Sequence, residues 1–192
     1  MQVEMGFNIK RRAGMIGKSK IFRLLILLAA IAFPIFSRCD ELVVQQLSAD
    51  QIEKGCGLNL YAIEGEKPAI GRPDYSLDLR WSCDEQPVRI IDRYEIEGGS
   101  PDVVTVLYRK ARDIIVLVKW SSNSRVADTQ GDYYRVYAYR YMKKNPVKPF
   151  SRNEDIMKRF GEGLEGTLDG KPVHFPYKNA DSIRKALDRF GY

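Results

Sequence analysis

At 192 residues the chain is sized for one domain, with room for a targeting segment ahead of it. Its net charge of +6 reflects 31 basic and 25 acidic side chains, but residues 1–37 hold six of the basic groups and one acid, Glu4. That leaves 25 basic and 24 acidic groups in residues 38–192. This balance excludes a nucleic-acid-binding domain, because phosphate binding needs clustered excess positive charge.

Lys10, Arg11, Arg12, Lys18, Lys20 and Arg23 precede the apolar run LLILLAAIAFPIF (24–36), which is followed by Ser37 and the charged start RCDE. Positive charge, a short apolar stretch and then a small residue make the layout of a secretory signal peptide. The apolar stretch before Pro34 is ten residues, short of the roughly 20 that span a bilayer. The expectation is a leader over 1–37, cleaved after Ser37 or alternatively after Ala32, and a single domain over 38–192. Met15 would begin a more economical leader and is an alternative start. Arg38 stands where lipid attachment to Cys39 would need a small residue. The expected location is the periplasm or the exterior, with inner-membrane anchoring through an uncleaved leader as the alternative and no membrane span once the leader is removed.

Cys39, Cys56 and Cys83 are the three cysteines. In an oxidising compartment they predict one disulfide and one remaining thiol. Tyr75, Leu77, Leu79, Trp81 and Cys83 alternate onto one strand face, and Cys56 is in phase with Leu58 and Leu60. Both cysteines thus point toward a core, which predicts a Cys56–Cys83 bridge closing 26 intervening residues. The alternative is two reduced, buried thiols.

Farther along, SADQIEKG (48–55) reads as a short helix, with Ser48 as N-cap, Gln51 completing a capping box and Gly55 as the stop. Residues 64–74 read as a loop. Strand-like segments follow at 75–83, 88–97, 103–110, 114–120 and 133–142. In 88–97, Val88, Ile90, Tyr94 and Ile96 share a face that Asp92 interrupts. GGSPD (98–102) and KARD (110–113) have hairpin lengths, which predicts antiparallel neighbours. DIIVLVKW (113–120) is apolar on both faces, marking a central strand. The polar connection 121–132 is longer than a hairpin needs. Residues 151–161 read as a short helix stacking Ile156 on Phe160. A hairpin turns at Asp169-Gly170, and a final helix runs over 180–190, capped by Asn179, with Ala180, Ile183, Leu187 and Phe190 buried. The predicted class is α+β: an antiparallel sheet of about five strands with short flanking helices and a C-terminal helix.

Catalytic chemistry is sparse. GEGLEG (161–166) matches the glycine pattern of a dinucleotide loop, but a helix precedes it and a hairpin follows, the reverse of what phosphate binding requires. His174 is the only histidine, it lies in a hairpin strand, and no serine occupies a nucleophile elbow. No cysteine or histidine spacing fits zinc. Among the carboxylates Asp92, Glu95, Glu97, Asp128, Asp132, Glu162 and Glu165, Asp92 stands out because it breaks an apolar face. It is either a carboxylic acid with a raised pKa, as a hydrolase would use, or one half of an arginine ion pair.

The segment DYYRVYAYRYMKK (132–144) places Tyr133, Arg135, Tyr137, Tyr139 and Tyr141 on one strand face. Tyrosine and arginine are enriched at interaction hot spots, and tyrosine also pairs well across strands. With Asn123, Arg125 and Asp128 of the adjoining connection, this row is the candidate binding site. The functional expectation is an exported binding or inhibitor protein of immunity type. It would act on an envelope protein, a toxin or an enzyme, with no catalytic residue, cofactor, metal or nucleic acid. The alternative is a carboxylate-dependent envelope hydrolase.

Overall fold

Strand alternation builds two antiparallel sheets, each of which buries one face against the other. A computed structural model describes residues 41–65, 74–84, 86–124 and 128–192. The leader, Cys39, Arg125 and most of the 64–74 connection lie outside the described residues. The first sheet has the order β1-β2-β3-β4, from β1 (Glu41–Ser48), β2 (Cys56–Glu64), β3 (Tyr75–Cys83) and β4 (Arg89–Tyr94). The second comprises β5 (Pro101–Arg109), β6 (Asp113–Ser124), β7 (Thr129–Tyr141), β8 (Phe150–Arg152), β9 (Glu162–Leu168) and β10 (Lys171–Val173). Its order is β10-β9-β7-β6-β5, with β8 also pairing β7. Two helices accompany them, α1 (Glu154–Phe160) and α2 (Ala180–Arg189).

The architecture is therefore mostly antiparallel β, with sheets of four and six strands, rather than an α+β fold on one sheet of about five. Two local readings account for the difference. The 98–102 connection has hairpin length, yet β4 and β5 do not pair: the chain crosses from one sheet to the other there. The 48–55 stretch is a turn between β1 and β2, not a helix. Ser48 Oγ does accept from the Asp50 N–H, at 3.3 Å, but the Asp50 carboxylate, not Gln51, makes the return contacts, accepting from Ser48 Oγ at 2.7 Å and from the Gly55 N–H at 2.9 Å. After one turn, however, Gly55 adopts φ 74° and β2 begins.

Between the sheets, Leu58, Leu60, Leu77, Leu79 and Trp81 meet Ile114, Val116, Val118 and Trp120 of β6, together with Tyr137 and Tyr139 of β7. The opposite face of the six-stranded sheet, with Ile115, Leu117, Val136 and Ala138, is covered by Ile156 and Phe160 of α1 and by Ile183, Ala186 and Leu187 of α2. The result is three layers, with β6 central and buried on both faces as its apolar run predicts. Asn153 caps α1, and Asn179 caps α2 reciprocally with Ser182. Asp169 and Gly170 take φ 51° and 69°, the paired left-handed geometry of a type I′ hairpin turn.

The 121–132 stretch is not a long loop. Strands β6 and β7 continue through it, pairing Ser121 with Asp132 and Asn123 with Gln130, so the connection is short. Its polar residues are strand residues, and those on β7 are met on their other side by β9. There Gly131 opposes Gly166, and a Cβ on either would lie 2.2 or 2.1 Å from a carbonyl oxygen of the facing strand.

The exposed strands are interrupted. One extra residue bulges from each of β1, β4 and β5, namely Val44, Ile91 and Val104, while β8 and β10 are three residues long. Bulges twist an edge away from further pairing. The one in β4 also changes which residues share a face. Asp92 pairs with inward Leu79, whereas Ile90 pairs with outward Arg80 and is 58% exposed.

Cys56 and Cys83 pair directly across β2 and β3 and are joined by a disulfide. Replacing both with alanine should lower stability by about 3 to 4 kcal/mol in urea denaturation, the loop-entropy value for a closure of this length. A second expectation concerns acid. Lys178, the Phe175 N–H and His174 converge on Glu165, and, chiefly through Lys178, its carboxyl falls from 4.5 to about 2. A lowered folded pKa stabilises above the unfolded value and is lost on acidification. The melting temperature should therefore fall less steeply between these two pH values in Glu165→Gln than in the native protein.

Candidate functional site

Alternation along β7 does put Tyr133, Arg135, Tyr137, Tyr139 and Tyr141 on one face, but that face is the inner one. Tyr137 and Tyr139 are 7% and 1% exposed, covered by the four-stranded sheet rather than by the terminal helix. The Tyr139 hydroxyl donates to Asp92 Oδ2 at 2.7 Å and lies 3.2 Å from the Tyr94 hydroxyl. Arg152 of β8 grips the same carboxylate through Nη2 and Nε, at 2.8 and 3.1 Å. Burial pushes the Tyr94 and Tyr139 phenols well above their ordinary range, so both stay protonated as donors. Of the two accounts of Asp92, the geometry matches the arginine ion pair: the carboxylate joins β4 to β7 and β8.

Toward the hairpin end of the row, Arg135 binds Glu97 at 2.9 Å, Glu162, and the Tyr137 hydroxyl at 3.3 Å. Its guanidinium lies 5.7 Å from the Trp120 ring and 5.8 Å from that of Tyr133. Arg135 thus ties β7 to the chain just past β4, Tyr133 packs against the core between the sheets, and both are only partly exposed. Asn123 and Asp128 are exposed near the hairpin tip. Tyr141 lies eight residues beyond Tyr133, about 27 Å along an extended strand. The row therefore does not bring its members together into one surface.

Tyr141 instead reaches a cleft of about 310 Å³ at the other end of the sandwich. The Cys56–Cys83 bridge, Trp81 and Tyr141 line its interior, with Glu53, Arg89, Lys143 and Pro149 around them. Trp81 packs 5.4 Å from Tyr141, and Phe150 lies 5.2 Å from each. This aromatic trio is rigid because β3, β7 and β8 each fix one member. Lys143 continues the Tyr141 face past the strand end and binds Glu53 at 2.7 Å, which holds its ammonium above the ordinary range.

Two recesses adjoin the cleft under β4. One, of about 200 Å³, runs between residues 89–91 and 147–150; the other, of about 330 Å³, lies over Tyr139, Phe150 and Arg152. Shared walls at Arg89, Pro149 and Phe150 link the three into one groove along the open side of the sandwich. Sequence reasoning reached Tyr141 and the disulfide but not Trp81, Arg89, Lys148 or Phe150 as site residues. The signal was NPVKPF (145–150), where two prolines stiffen a segment that leaves Val147 87% exposed.

His174 is exposed just past β10 and near Glu165, remote in sequence from every groove residue. GEGLEG spans the end of α1 and most of β9. Among the described residues, no group of histidine, cysteine or carboxylate side chains is placed to hold a metal ion, and no helix is long and apolar enough to cross a membrane. The chain matches no family model, no curated protein and no solved structure.

Tyr139→Phe removes a buried donor from Asp92 without touching the cleft. It should cost about 2 kcal/mol, the range for hydrogen bonds to charged groups, measured by urea denaturation.

Proposed function

We propose that this protein is an exported binding or inhibitor module, of immunity type, that engages a partner protein of the cell envelope through the groove beside β4. The observation that carries this reading is the preformed cleft lined by the Cys56–Cys83 bridge, Trp81 and Tyr141, with Phe150 packed against both rings and the charged Lys143 and Arg89 at its walls. Tyr141, partly exposed and held from behind by Trp81 and Phe150, is the kind of rigid aromatic anchor on which a protein-interaction hot spot is built, here in a polar, cationic surround. Export is supported by the leader-like N-terminal pattern and by the Cys56–Cys83 bridge, since such bonds persist in oxidising compartments. The hydrolase alternative has less support, because Asp92 is occupied by Arg152 and Tyr139.

Affinity capture from the native compartment tests the reading. The unaltered protein should recover one partner in stoichiometric amount, and the Tyr141→Ala, Lys143→Ala double variant should bind it at least about tenfold more weakly. Recovery of no partner, or equal recovery by both forms, would overturn it. The same preparation gives the N-terminus by mass spectrometry, expected at Arg38.

A further inference from the structure

Charge is not spread evenly over the domain. Residues 38–192 are nearly balanced, at 25 basic to 24 acidic side chains. The groove is not: Lys54, Arg89, Lys143, Lys148 and Arg152 line it, against Glu53 and Asp84 among the described residues. Two of these cations are occupied, Lys143 by Glu53 and Arg152 by Asp92. Lys54, Arg89 and Lys148 form no ion pair among the described residues.

The placement of two of them is specific. Arg89 on β4 and Lys148 on the proline-flanked segment line the same recess, with Ile90, Ile91, Val147 and Phe150 beside them. Ile90 and Val147 are 58% and 87% exposed, so apolar surface and unpaired positive charge occupy one narrow strip. Recognition there falls to side chains, because the bulge at Ile91 interrupts the edge that an added strand would need. Stacked nucleobases are disfavoured as occupants, since Trp81 is only 3% exposed and offers no open ring face.

We propose that the occupant of the groove is an acidic segment of the partner polypeptide, its carboxylates paired with Arg89 and Lys148 and an apolar side chain seated between them over Phe150. This inference rests on the binding function proposed above and adds the chemistry of the ligand to it. Arg89 offers a planar, two-pronged donor set suited to a carboxylate, and Lys148 a mobile point charge. Like charge brought to the same strip would be repelled, so the cations select partners as well as hold them.

The test uses the mature protein and a short fluorescein-labelled peptide alternating glutamate with phenylalanine, followed by fluorescence anisotropy. Its companion peptide carries lysine for glutamate, and phosphatidylglycerol vesicles serve as a non-peptide anionic probe. The acidic peptide should bind, weaken as salt is raised, and lose about tenfold or more in affinity to the Arg89→Glu, Lys148→Glu protein. A Lys171→Glu control on exposed β10 should leave binding unchanged. Arg89→Gln, Lys148→Gln, with an unaltered melting temperature, gives an intermediate loss and separates charge from folding.

The inference is overturned if the acidic peptide fails to bind, if the lysine peptide binds as well, or if charge reversal has no effect. Binding of vesicles in place of peptide overturns it in favour of a lipid surface. If the native partner still depends on Tyr141 and Lys143 but is indifferent to the Arg89 and Lys148 reversals, the acidic-ligand inference alone fails. If it is indifferent to Tyr141 and Lys143 as well, the binding function fails with it.

Discussion

The carboxylate of Asp92 is where the two sheets are tied together, and much of the molecule follows from that junction. It accepts from Tyr139 on β7 and from Arg152 on β8 while belonging to β4, so three strands from two sheets meet at one charge. Such a group is tolerated away from water only when its bonds are satisfied, and here a phenol and a guanidinium satisfy them. Tyr94 and Tyr137 pack 4.8 Å apart beside this junction, and Arg135 of β7 makes a second tie to Glu97, just past β4, while its bond to Glu162 stays within its own sheet. With β4 anchored from within, its outer flank can stand clear of β8, and the groove is the space left between them.

The tyrosine row therefore has a different meaning from the one its composition first invites. A phenol is apolar for most of its length and polar at one tip, which suits a binding surface and suits equally an interface between sheets that must also carry charges. In β7 the second use prevails over the middle of the strand. Only at Tyr141, where the four-stranded sheet has run out past Cys83, does the same face emerge beside a cleft.

Legibility in the sequence divides along physical lines. Where the pattern was unbroken, as in the alternation of β3 and the two-faced apolar run of β6, strand identity and burial could be read directly, and the phase of Cys56 and Cys83 pointed to their pairing. The Asp169-Gly170 turn and the Asn179 cap were legible because each rests on local backbone chemistry. Three features depended on long-range partners and were not. Bulging of Ile91 reverses the faces of Ile90 and Asp92, which a simple period of two places together. The 98–102 connection has the length of a hairpin but spans between sheets, a choice made by what β4 and β5 each pack against. The capping signal at Ser48 is satisfied equally by a turn, so local hydrogen bonding could not decide for a helix. The groove was the least legible part, because it is assembled from β3, β4, β7 and the 145–150 segment, which are neighbours only after folding.

The bulges at Val44, Ile91 and Val104 have a bearing on how the protein behaves among its own copies. Three of its long exposed strands carry apolar residues, the usual ingredients of sheet-to-sheet assembly, yet each is broken by one residue that spoils the repeat of donors and acceptors. Two molecules meeting edge to edge would find their ladders out of step within a few residues. Edge-to-edge pairing of two copies is thus disfavoured at these three strands, and the flank of β4 that borders the groove is left for side-chain contacts.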